Sequence, residues 1–215
     1  MPTNKLFPSH PFCQTSPFLA PRLALCLALC HQLAFASHSN PNLPEISKLA
    51  LENYFSKRTS PEQLINSLKQ KAGVKTDLAR RDKPSGLFIT ISKNGQTRAC
   101  WGSLHPQYTN VIEATVYTTL QALKNEYRFR PIRAQEAKSL KAQVSIIKSI
   151  EPVKNYRQVN PFKEGMLVQS GGKSGILLPG EAKDSLYQLQ KCLLKAGIKS
   201  GEGYQIFRVR CDVYN

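Results

Sequence analysis

Residues 86–102, GLFITISKNGQTRACWG, decide the fold. Leu87, Ile89 and Ile91 recur at every second position, the period of a strand that buries one face. Asn94-Gly95 follows, and this dipeptide accepts the positive φ angles that a two-residue hairpin turn requires. The returning run carries Arg98, Cys100 and Trp101. Alternate residues of a strand share a face, so Arg98 and Cys100 are expected on one side and Ala99 and Trp101 on the other. A thiol beside a guanidinium is a candidate nucleophile, redox centre or ligand group. Cys100 and Arg98 are therefore candidate catalytic residues, and His105, five residues on, is a candidate base. The same residues have plainer uses. A lone strand cysteine also serves as a small hydrophobe, and a histidine before Pro106 also suits a surface loop.

Upstream, the spacing of Ile46, Leu49, Ala50 and Tyr54 predicts an amphipathic helix over 45–57. Ser60-Pro61-Glu62-Gln63 is a helix start with its N-cap, a proline in the first turn and a capping-box glutamine. That helix is expected to end at Gly73, and a polar stretch over 75–85 leads into the hairpin. Downstream, residues 108–124 predict a helix docked on a sheet, with Val111, Ala114, Leu120 and Leu123 at helical intervals. The segment 128–133, RFRPIR, breaks it; one helical turn is expected over 134–138 and a strand over 140–150, ended by Glu151-Pro152. Residues 165–180, GMLVQSGGKSGILLPG, read as a second hairpin with a glycine-rich turn. A helix over 184–196 with Gly197 as its C-terminal cap, and a last strand over 204–214, complete the chain. Hairpins interleaved with helices point to an α+β fold, a largely antiparallel sheet flanked by helices in a single compact domain, with or without a small lobe.

The first 40 residues differ in composition. They contain no acid, and Arg22 precedes the apolar run 23–29, LALCLAL, and the small residues Ala34 to Ala36. These are the parts of a secretory signal peptide, so residues 1–40 are expected to be a leader cleaved near Ala36 and the mature chain exported to the periplasm or medium. An organelle-type leader, or a cytoplasmic protein with an extended start, is the alternative. Removing the leader leaves Cys100, Cys192 and Cys211, an odd number that implies no disulfide framework, and His105 as the one histidine. Without paired Cys or His ligands no metal site is expected, and no other cofactor is implied. No membrane span is expected in the mature chain.

The net charge is +16 over 215 residues, and 41% of the residues are hydrophobic. Disorder throughout is excluded by the second number, and the first favours anionic partners. Two segments are candidate anion sites. The turn Ser170 to Gly175 offers Gly171, Gly172, Lys173 and Ser174 as a backbone nest, although it lacks the spacing of a nucleotide-binding P-loop. Arg128 and Arg130, with Tyr127 and Phe129 interleaved, suit phosphate contact and ring stacking, while Phe129 also reads as a core residue.

Over about residues 45–215 the order of these features resembles the AMMECR-type domain, the family of the Alport syndrome, mental retardation, midface hypoplasia and elliptocytosis chromosomal region. The hairpin GLFITISKNGQTRACWGS looks like the family's strand, turn and strand ending in Arg, Gly, Cys, an apolar residue and Gly. YRFRP over 127–131 is similar to its Arg-Phe-x-Pro element, and LKAQVSIIKSIEPV with GMLVQSGGKSGILLP look like its following strand and glycine-rich hairpin. Two positions depart from the pattern: Ala99 stands where the family has glycine, and Trp101 replaces a small aliphatic residue, so a pocket adjoining the cysteine is expected to be narrowed or filled. The resemblance implies a soluble intracellular protein, in microbes similar to companions of Memo-type and radical-SAM proteins, with no firmly assigned activity.

Three functions fit these residues. The favoured one is a binding or scaffold protein that recognises a protein partner or an anionic small ligand through the Arg98/Cys100 hairpin. The second is an enzyme using Cys100 as nucleophile or redox centre. The third is a nucleic-acid binder, which the charge permits and no motif supports.

Overall fold

The structure, a computed structural model, describes residues 42–72, 86–108 and 110–215. The expected leader over 1–40, the helix stop at Gly73 and the polar stretch over 75–85 lie outside the described residues.

Helix α1 spans Leu43–Ser56 and α2 spans Pro61–Ala72. The first begins with Pro44 in its opening turn, where the missing amide is an orphan in any case. Its buried stripe is Ile46, Ser47, Ala50 and Leu51. Leu49, expected on that stripe, is 44% exposed because it falls on the far side of a helix turning 100° per residue. The start of α2 is the expected reciprocal cap: the Ser60 amide donates to the Gln63 side chain at 2.9 Å, and the Gln63 amide donates to the Ser60 hydroxyl at 3.2 Å.

Strand β1, Leu87–Lys93, turns through Asn94 (φ 49°) and Gly95 (φ 77°) into β2, Gln96–Ser103. Helix α3 then runs over Val111–Asn125, started by the Asn110 side chain, which accepts from the amides of Ile112 and Glu113. It begins later than expected, and Tyr108 instead stacks on Tyr117 of α3 with ring centroids 5.2 Å apart. A 3₁₀ turn over Ala134–Ser139 leads into β3, Lys141–Val153. The strand was expected to stop at Glu151-Pro152, yet it continues with Pro152 opposite Phe207. Pairing of β3 with β1 ends at Ile146, so beyond it one side of β3 is an edge, where a proline costs no ladder bond.

The glycine-rich hairpin forms β4, Gly165–Ser170, and β5, Lys173–Leu177, around Gly171 and Gly172 at positive φ. Helix α4, Ser185–Ala196, is capped by Asp184 at its start and by Gly197 at φ 66° at its end. Strand β6, Gln205–Tyr214, closes the chain between β3 and β4.

The six strands form one antiparallel sheet in the order β2-β1-β3-β6-β4-β5. One face of its first half, Leu87, Ile89, Ile91, Ala99, Val144 and Ile146, packs beneath α1, α2 and α3. In the other half, Met166, Val168 and Leu177 pack beneath α4. Residues of the opposite face, Phe88, Ile147, Leu167 and Val209, come from four strands and meet in a third cluster with Leu178. The sheet is therefore curled around this cluster, with β2 and β5 as its two free margins.

Candidate binding cleft beside Cys100

The hairpin register decides what the signature residues can do. Thr90 pairs with Cys100 and Ile91 with Ala99, but Ser92 pairs with Thr97. Arg98 is the extra residue of a β-bulge, which shifts the alternation by one. Thr97 and Cys100 consequently line one cleft, and Arg98 does not. The expectation that Arg98 and Cys100 share a face is corrected: strand parity assumes an unbroken ladder. Arg98 instead forms an ion pair with Glu136 of the 3₁₀ turn and donates a further hydrogen bond to the Arg130 carbonyl at 3.3 Å. The Arg98 hydrogen bond, with the Arg133 amide, holds the Glu136 carboxyl down at about 2.

Cys100 is joined to different groups. Its backbone amide donates to Glu126 Oε2 at 3.0 Å, and its carbonyl accepts from Arg128 at 3.1 Å. The Glu126 carboxylate also accepts from the Arg128 amide at 2.8 Å and from its guanidinium at 2.6 and 2.9 Å. Glu126 has a side chain only 5% exposed; burial pushes its pKa up, but the bonds from Arg128 and Cys100 outweigh burial and leave it below the usual carboxylate range. The two family-like segments at 98–101 and 127–131 are thus tied to each other by Glu126 and Arg128. Glu126 and Glu136 were missed in the sequence. The available signal was that they are the two acids flanking the basic run of Arg128, Arg130 and Arg133.

The Cys100 thiol is half-buried and accepts from the Thr90 hydroxyl at 3.6 Å. Burial raises its pKa, the Glu181 charge adds to this, and Thr90, Lys195 and Arg128 offset only part. The thiol is therefore protonated at neutral pH. Cys192 and Cys211 are also free, and burial pushes both up to about 12. His105 is exposed, its amide bound to the Ser103 hydroxyl, and it is not among the residues lining the Cys100 cleft. Trp101 lies on the opposite side of β2, packed against the α1–α3 core, so it does not fill the space beside Cys100.

That space is a cleft of about 580 Å³. Its floor carries the hydroxyls of Thr90, Ser92 and Thr97, and β3 adds Lys141 and Gln143. One wall holds Arg128 and Phe129; the other holds Glu181 from the loop after β5 and Tyr187, Lys191 and Lys195 from α4. Curling of the sheet thus brings its two margins, β2 and β5, to one site. Lys195 donates to the Ile176 carbonyl at 3.0 Å and lies 3.9 Å from Glu181. Lys141 and Lys191 have no carboxylate partner among the described residues. Phe129, read as a core residue, is 36% exposed on the cleft wall because Arg128, rather than the ring, is anchored inward.

The other candidate anion site is separate. Gly171, Gly172, Lys173 and Ser174 line a depression of about 510 Å³ that shares no residue with the Cys100 cleft. Lys173 is paired there with Glu202 at 2.8 Å. Arg130 is exposed, and its carbonyl serves Arg98. Among the described residues no cluster of His, Cys, Asp or Glu could hold a metal ion, and no helix is long and apolar enough to cross a membrane.

The model of the AMMECR1 family matches residues 45–215. The chain belongs to the AMMECR1 family. Its AMMECR1 domain is 31% identical to a Thermotoga maritima protein over 134 residues, which cover 60% of this chain and 77% of that one. It is also 31% identical over 128 residues to a Clostridium acetobutylicum protein, but the match spans 59% of this chain and only 27% of that relative's length. In the crystal structure of an uncharacterized Pyrococcus horikoshii protein the same fold recurs, with a TM-score of 0.64 over 80% of this chain and 88% of the other, at 21% identity.

Proposed function

We propose that this AMMECR1 domain is a binding module that takes an anionic small ligand into the Cys100 cleft. The observation that carries the reading is the imbalance of charge there: with Arg128 already paired to Glu126, Lys141, Lys191 and Lys195 share the cleft with one acidic side chain, Glu181, and the first two have no carboxylate partner among the described residues. A cleft of about 580 Å³ is in the range of small-ligand sites. The hairpin is still the seat of the site, through Thr97 and Cys100 rather than through Arg98, whose charge is spent on Glu136. Nucleophilic chemistry at Cys100 has less support, because its thiol is protonated at neutral pH and His105 is not beside it.

The test is calorimetric titration of the chain with pyrophosphate at low ionic strength. Saturable binding is expected, weakened about tenfold or more in a Lys141→Glu/Lys191→Glu variant and by added salt. Equal binding by wild type and variant would place the anion elsewhere and remove the reading.

A further inference from the structure

The cleft contains more than charge. Phe129 and Tyr187 stand on its two walls and are 36% and 37% exposed. Cations lie over both rings: the Arg128 guanidinium is 5.7 Å from the Phe129 centroid, and Lys191 Nζ and Lys183 Nζ are 5.3 and 5.9 Å from that of Tyr187. Arg128 is itself fixed by Glu126, so the Phe129 ring has a determined position and not merely an exposed one. A bare oxyanion would leave both rings and most of a 580 Å³ cleft unused. An acyl chain would lie against the hydroxyls of Ser92 and Thr97 on the floor and offer them no hydrogen-bond partner, whereas Thr90 already donates to Cys100 Sγ.

We infer that the ligand is a nucleoside phosphate: a planar heteroaromatic base lies against Phe129 or Tyr187, the sugar faces the hydroxyl floor, and the phosphate meets Lys141 and Lys191. This rests on the anion-site reading above and adds the chemical class. Base stacking on an aromatic side chain is sequence-tolerant, and in single-stranded nucleic-acid sites it contributes enough to change affinity by about tenfold to a hundredfold per base.

The experiment compares AMP, UMP, ribose 5-phosphate and a short oligoadenylate by calorimetry on the full chain. AMP and UMP are expected to bind about tenfold or more tightly than ribose 5-phosphate. A Phe129→Ala/Tyr187→Ala variant should erase that advantage while ribose 5-phosphate binds as before. Both rings are exposed, so the melting temperature should stay at the wild-type value; if the double variant melts lower, the single variants carry the comparison. Equal affinity for AMP, UMP and ribose 5-phosphate would overturn the ring assignment and leave the anion site standing. No binding of any phosphate, with pyrophosphate also silent, would overturn both. Tighter binding of the oligoadenylate than of AMP would make the cleft a strand-tracking groove and overturn the small-ligand class.

Discussion

At Cys100 the outer side of β2 is satisfied by side chains: Glu126 accepts its amide and Arg128 donates to its carbonyl. Glu126→Ala would leave an amide and a guanidinium without their acceptor, so an equilibrium unfolding curve should show a loss of about 2 kcal/mol. Arg128→Lys keeps the charge but loses the forked geometry, and is expected to restore little of the function of that pair. Glu136, held at about 2, stabilises the folded state at pH values above the ordinary carboxylate pKa, and that contribution disappears as pH falls towards 2. In Glu136→Gln the melting temperature should accordingly fall less between pH 5 and pH 2 than in wild type. Alkylation of Cys100 by iodoacetamide, followed by peptide mass, should be slower than that of free cysteine at pH 7.5 and accelerate with pH; a rate above the free thiol would restore the nucleophile reading. The chemistry-bearing residue types were visible in the sequence, but their pairing was not. Period-2 reasoning put Arg98 with Cys100, and one bulged residue sent Arg98 to Glu136 instead.

Elements were legible wherever local chemistry sets them. The Asn94-Gly95 turn, the Ser60/Gln63 box and the Gly197 cap are each determined by residues within one turn of the position they specify. The extension of β3 through Pro152 was not legible, since it depends on which neighbour β3 lacks, a property of the sheet. The same holds for the wall of the cleft: α4 was predictable, its placement over β5 was not. Gly175 sets that placement, because a Cβ there would run into the backbone of α4 at Cys192 and Ala196. Gly175→Ala should therefore destabilise the protein by about 1–3 kcal/mol and also weaken pyrophosphate binding, because the lysines of α4 move with the helix. By contrast Asp184→Ala, which removes the hydrogen bond from the Tyr187 amide at 2.7 Å, should cost about 1 kcal/mol with the cleft intact.

For the whole molecule, Cys192 and Cys211 set an alkaline limit. Their folded pKa values are raised to about 12, so their stabilisation is fully present below the unfolded value near 8.5 and is lost as pH rises from there towards 12. Melting temperatures should decline over that range, and less steeply in a Cys192→Ala/Cys211→Ala variant when each is compared with its own value at pH 7. The α+β class and the antiparallel sheet followed from the succession of hairpins, whereas the curl that creates the cleft arises from a cluster drawn from four strands and has no local signal. A curled sheet that does not close has two free margins, and an unpaired strand margin is a template on which another chain can polymerise. Here Glu126 and Arg128 occupy the ladder position at Cys100, and Lys195 occupies the Ile176 carbonyl on β5. Arg128 and Lys195, which line the cleft, and Glu126, which fixes Arg128, are thereby also guards against self-association: a chain without Glu126 should scatter light on concentration while the wild type stays monodisperse.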